Sequence, residues 1–374
     1  MLPYYGGPHS PHSPMQFPTF SLRPLVFLPL LAAMLAIAAC TSRNTSTATQ
    51  QPPSPTIHTP AFCADTAMAY VIAQCAFGPR VPGTPAHATC ADWIAARFTA
   101  HGAHGINHTT TVNGYDSHSL PCRNIMARIN PDAPARILIT AHYDSRAWAD
   151  NDPDEARHHD PVLAANDGAS GIAVMLELAR AIASTAIPDT VATVPDDSLS
   201  GITSPVIGID FICFDVEDQG HPQWADDYDE EADESGFWCL GSRAWAEEAF
   251  NRGYTARFAI NLDMVGGRGA RFCQEGYSRR YAPAIVDLVW RTAADLGHAD
   301  LFPATISGYV MDDHVPVMQL AEIPAIDIIP NVEGQRSSFG QTWHTVADTP
   351  ENIDPNVLAA VGQTLLRVIY QIAY

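Results

Sequence analysis

Four apolar runs punctuate the chain: ARILITA (135–141), VIGIDFICF (206–214), RFAINL (257–262) and PAIDII (324–329). Near-continuous apolarity over so few residues is the pattern of strands covered on both faces, as in a mostly parallel sheet. Between the first two runs, apolar residues at 172, 175, 176, 179, 182 and 183 repeat at the helical period and mark one face of a helix over 170–184. The spacing predicts further helices near 64–76, 88–102, 240–250, 281–296, 312–321 and 355–372, with a turn-rich connection at 78–87. Strands and helices that alternate in this way predict an α/β fold, a three-layer α/β/α sandwich with a mixed, mostly parallel central sheet. No repeat or second linker follows residue 61, so 61–374 is read as one catalytic domain, with 187–204 an exposed insertion.

The first 60 residues have a different pattern. Residues 25–39 form an apolar stretch of signal-peptide length, short for a membrane span. It ends in Ile37-Ala38-Ala39-Cys40, which resembles a bacterial lipobox and implies a signal peptide over 1–39 and lipidation at Cys40. A plain secretory signal with a chance cysteine is the alternative. Only Arg23 precedes the run as a positive charge, and a start at Met15 instead of Met1 gives a more ordinary signal. The rest of 40–60 is a Ser/Thr/Pro tether. Thr41 stands where an inner-membrane retention signal places Asp, so the resemblance implies a periplasmic protein anchored in the outer membrane.

Composition removes several functions. A net charge of −21 argues against nucleic acid and against adhesion to anionic lipid. All 20 basic residues are Arg, which excludes lysine catalysis. Seven cysteines follow Cys40 (63, 75, 90, 122, 213, 239 and 273), so at least one is a free thiol, and without a CxxC pair a thiolate zinc site is not expected. The acidic run from Asp226 to Glu234 reads as a solvated loop, with a calcium site as the alternative.

The chemistry gathers where strands end. The first run leads into His142-Tyr143-Asp144-Ser145, the second into Asp215-Val216-Glu217-Asp218 and the third into Asp263-Met264-Val265-Gly266. Asn166-Asp167-Gly168 directly precedes the amphipathic helix, and Trp343-His344-Thr345 lies before the last helix. Carboxyl ends of parallel strands share one sheet edge, where sites form. Singly these residues have plain roles: Asp167 as a helix cap, Asp215 and Asp263 in turns, His142 as a hydrogen-bonded core histidine. Together they are carboxylates and imidazoles that repel unless a cation sits among them, and the donor set suits Zn²⁺.

The segments GPRVPGTPAH (78–87), AHYDSRAWADNDPD (141–154), AANDGASGIAVMLELAR (164–180), FDVED (214–218), WCLGS (238–242), LDMVGG (262–267), MDDHVPV (311–317) and FGQTWHT (339–345) resemble the zinc aminopeptidase (M28-type) superfamily, and within it the bacterial glutaminyl cyclases. That resemblance implies zinc held by Asp167, Asp218 and His344. Asp218 replaces the Glu of many relatives. Glu217 becomes the acid/base, with Asp263 and Asp312 in a carboxylate network beside it. Trp343 lines the substrate pocket, with Trp238 and then Trp148 as weaker candidates. The implied reaction turns an N-terminal glutamine of a peptide or protein into pyroglutamate and releases ammonia.

Elementary chemistry is consistent with this. The attacking amine has a pKa of about 8, so a Glu at about 4.3 is a poor proton acceptor until the C–N bond forms or its surroundings raise it. The rival within the superfamily is a dizinc aminopeptidase, whose second metal takes His142, Asp167 and Asp263. One zinc is expected for the cyclase and two for the peptidase. Trp343 before His344 and the doublet Asp312-Asp313 favour the cyclase. A non-catalytic binding module on this fold is the third reading, and the retention of every implied ligand speaks against it.

Overall fold

The computed structural model describes residues 58–185, 205–229, 234–331, 334 and 337–373. The signal segment, Cys40, most of the tether and the 187–204 insertion lie outside the described residues. So does part of the acidic run.

The described residues form a six-stranded sheet. The four expected strands are present as β3 (Arg136–His142), β4 (Gly208–Phe214), β5 (Ala259–Leu262) and β6 (Ala325–Ile328). Two more precede them, β1 (His104–Asn113) and β2 (Ser119–Ile129). The order is β1-β2-β4-β3-β5-β6: β4, β3, β5 and β6 run parallel, and the β1/β2 hairpin adds antiparallel strands at the β4 edge. The sheet is therefore mixed and mostly parallel. The hairpin escaped the reading of apolar runs because β1 is an edge strand whose side chains are exposed or half-buried.

Residues alternate between two cores. Ile137, Ile139, Ile209 and Phe211 face one apolar cluster. It also takes α1 (Ala64–Cys75), α2 (Pro85–Ala100), α3 (Ala169–Ala183), α6 (Pro283–Asp295) and α8 (Pro355–Ala373). Leu138, Ile212 and Phe214 face the other, with α4 (Leu240–Asn251) and α7 (His314–Gln319). This strand periodicity of two makes the sandwich. The expected helix near 281–296 is two, α5 (Gly276–Tyr281) and α6, because Ala282 leaves helical geometry and Pro283 opens the second. The seven cysteines among the described residues are all free thiols.

Candidate active site

Parallel β3, β4 and β5 end at the same edge, and their next residues converge there. His142 Nε2 lies 3.0 Å from Asp167 Oδ1 and 3.3 Å from Asp263 Oδ1. His344 Nε2 lies 2.9 Å from Asp218 Oδ1 and 3.6 Å from Asp167 Oδ2. Asp167 thus stands between the two imidazoles. It does not cap α3, whose N-cap is Gly168 with no side-chain bond.

Local backbone geometry makes the convergence possible. Gly168 has φ 98°, and a Cβ there would sit 2.8 Å from the Asp144 carbonyl, so the turn that delivers Asp167 admits no side chain. Val216, Cys239, Met264 and His344 all have φ between 51° and 58°. Such conformations cost about 1 kcal/mol or more for non-glycine residues, β-branched Val216 above all, and they cluster here beside the converging side chains.

A second ring of side chains holds this set. Asp144 accepts the N–H groups of Glu217 at 3.1 Å and Asp218 at 3.2 Å, tying the end of β3 to that of β4. Asp348 accepts those of Asn166 at 2.8 Å and Asp167 at 2.9 Å; burial and the Asp167 charge push its carboxyl up to about 7. Buried Arg146 grips Asp150 through Nε at 2.8 Å and Nη2 at 2.6 Å, and Asp150 Oδ1 lies 3.6 Å from His344 Nδ1. Neither Asp150, Arg146 nor Asp348 was singled out from the sequence, since each acts on a ligand candidate far away in the chain or through backbone.

Glu217 is buried and sits apart from the His344 group, with Oε2 3.9 Å from His142 Nδ1. The Cys239 thiol donates to its Oε1 at 3.3 Å, and Asp312 completes a cluster with both. Burial raises the Glu217 carboxyl well above the usual range; His142 opposes this, and Asp218, Asp313 and Asp312 add to it. Asp312 is held by Asn261 Nδ2 at 3.0 Å and by the Asp313 N–H. Asp263 is likewise raised well above its ordinary value, chiefly by burial.

Around these groups lies a pocket of about 50 Å³, lined by Glu217, Asp218, Trp238, Asp312, Phe339 and Trp343 among others. The Trp343 ring stacks on the His344 imidazole at 3.8 Å and that of Trp238 at 5.9 Å. Gly220 makes room for Trp238, since a Cβ there would overlap the indole. Trp148 points elsewhere, against Tyr115, Trp224 and the Arg146 guanidinium, and does not line the pocket. Asp215 also leaves the cluster: it accepts from the Arg123 N–H at 2.7 Å and pairs with His87, a structural role.

The residues fit a metal. Asp167, Asp218 and His344 bring ligand atoms within 4.8 Å of one another, as do His142, Asp167 and Asp263. Asp218 Oδ2 is buried with no hydrogen-bond partner, a state a cation would relieve. Two carboxylates and an imidazole, without thiolate, are consistent with zinc. Among the described residues, no such group falls in the acidic run after Asp226.

Comparison with known proteins agrees with this architecture. The glutaminyl-peptide cyclotransferase of Boiga dendrophila is 24% identical over 274 residues, 68% of this chain and 66% of that relative's length. Among solved structures, the Bacteroides thetaiotaomicron glutaminyl cyclase bound to N-acetylhistamine is 42% identical and superposes with TM-score 0.75, over 84% of this chain and 99% of its own. A second structure from that organism, a leucine aminopeptidase precursor, is 41% identical over the same shares, also at TM-score 0.75. Residues 124–369 match the model of peptidase family M28, and the chain belongs to that family.

Proposed function

We propose that the chain is a zinc-dependent glutaminyl-peptide cyclotransferase acting on peptide or protein N-termini. The observation that carries this reading is the small pocket at His344, walled by two indoles stacked on that imidazole and closed by Glu217 and Asp312. It suits one short polar side chain folded back on its own amine. The 42% identity to a solved glutaminyl cyclase, across 99% of that chain, supports the same activity.

Asp167, Asp218 and His344 are the proposed zinc ligands, and zinc bound there supplies a Lewis acid for the γ-carbonyl of the substrate glutamine. Glu217 faces the attacking α-amine. The new bond joins that nitrogen to the γ-carbonyl carbon, and the bond to the amide nitrogen breaks. The proton lost by the amine passes to Glu217 and from it to the departing nitrogen, which leaves as ammonia. Asp263 and Asp312 hold Glu217 in a carboxylate-rich surrounding, while Trp343 and Trp238 exclude water and orient the side chain. Tethering of amine and amide in one residue supplies the effective concentration.

An aminopeptidase is the second reading, favoured by His142 lying 3.0 Å from Asp167 and 3.3 Å from Asp263, a ready second metal position. Paired peptides separate the two. The cyclase reading expects ammonia from a glutamine-initiated peptide and no change in one beginning with leucine; free leucine, with two metals per chain, supports the peptidase. We also infer, from residues 25–41 of the sequence alone, a mature chain lipidated at Cys40 and tethered to the periplasmic side of the outer membrane.

A further inference from the structure

A second cavity, about 230 Å³ in volume, adjoins the zinc pocket. Phe339 is a wall of both, and Asn166, next in the chain to Asp167, lines the second. Asn166 is fixed from two sides: its Oδ1 accepts the Gly266 N–H at 2.9 Å and its own N–H reaches Asp348 at 2.8 Å. Asn166, beside Asp167, is thus held in place on the wall of this cavity.

Among the described residues that line this cavity, Arg268 alone is charged. Its N–H donates to the Asn352 carbonyl at 3.0 Å and its Nε to the Glu351 carbonyl at 3.0 Å, which pins the stem. No carboxylate pairs with the guanidinium among the described residues, although acidic residues outnumber basic ones 41 to 20 in this chain. An unpaired, pre-positioned guanidinium is a fork for a carboxylate.

We propose that this cavity receives the residues following the N-terminal glutamine, and that Arg268 selects an acidic side chain there. The proposal rests on the cyclase reading. A peptide whose first residue fills the zinc pocket must continue outward, and the shared Phe339 wall leads into this cavity, which is large enough for one or two side chains. The partner is thus a peptide or protein N-terminus with Asp or Glu one or two positions after glutamine.

The test uses the zinc-loaded full chain and four amidated tripeptides, glutamine followed by Glu-Ala, Ala-Glu, Lys-Ala or Ala-Lys, with Gln-Ala-Ala amide as the neutral control. The wild type should favour the better acidic peptide over its basic counterpart in kcat/KM by roughly 3- to 10-fold at low salt, and high salt should shrink that ratio. Arg268→Glu should invert it. The ratio is internal to each protein, so partial misfolding does not imitate inversion. Equal ratios in wild type and Arg268→Glu overturn the subsite while cyclisation of the neutral peptide leaves the activity standing. Failure to cyclise the neutral peptide overturns the activity and the subsite with it.

Discussion

Replacing Glu217 by glutamine separates proton transfer from every other task of the site. The side chain is buried, and its Oε1 accepts from the Cys239 thiol at 3.3 Å, a bond the amide oxygen of glutamine can keep. Its volume is unchanged, so no cavity opens, and a melting shift below about 4 °C is expected. Glu217 does not belong to the Asp167, Asp218 and His344 group, so zinc content should remain that of the wild type. On the proposed mechanism, what disappears is the acceptor and donor of one proton, worth roughly 10²–10⁴-fold in turnover, or about 3–5 kcal/mol of barrier. The assay is ammonia release at saturating substrate, with metal content measured on the same preparation. Turnover within about tenfold of wild type refutes the role of Glu217, since proton transfer is worth at least roughly 10²-fold. Loss of zinc together with activity shows instead that Glu217 is a ligand.

Asp150→Ala removes the carboxylate 3.6 Å from His344 Nδ1 and leaves buried Arg146 with Asp218, 3.7 Å away, as its remaining carboxylate; zinc affinity, read by competition with a chelator, should fall roughly 10–100-fold, and an unchanged affinity contradicts the supporting role. Glu275→Gln tests a fold element away from the zinc. Burial pushes that carboxyl up, but His314 at 3.1 Å and the Ser278 and Tyr277 N–H groups outweigh it and hold it at about 2. A lowered carboxyl stabilises the fold above its unfolded pKa, about 4.3, and that stability is lost as pH falls toward 2, so at neutral pH the variant should be weaker by about 3 kcal/mol and its urea midpoint should fall less on acidification; parallel pH profiles would exclude this account. Cys40→Ser should abolish detergent partitioning and fatty-acid labelling, and a variant still acylated would remove the anchor.

The parallel core and the site edge were legible because burial leaves its mark in sequence. β3 and β4 must be apolar on both faces, so their ends were visible, and with them His142, Glu217 and Asp218. The hairpin was not legible, because solvent-facing β1 carries His, Asn and Thr with no need for apolar alternation. Asp215 shows the limit from the other side. It occupies the same strand end as Glu217, yet faces His87 and the Arg123 N–H, which the packing of α2 and the register of β2 on β4 decide. Asp150 and Asp348 act through space on His344 and on the backbone of Asp167, distances no local pattern encodes. Left-handed Val216 and Cys239 carry no sequence signal either, since neither is a residue that favours that geometry.

The most direct test of the central claim is the fate of each nitrogen in a peptide whose N-terminal glutamine carries heavy nitrogen in its α-amine only. Intact mass and released ammonia are measured after incubation with the zinc-loaded chain. Cyclisation predicts a peptide lighter by one ammonia that retains the heavy label, with unlabelled ammonia in solution and every peptide bond whole. Release of labelled free glutamine, or a product in which water has replaced the amide nitrogen, would contradict it.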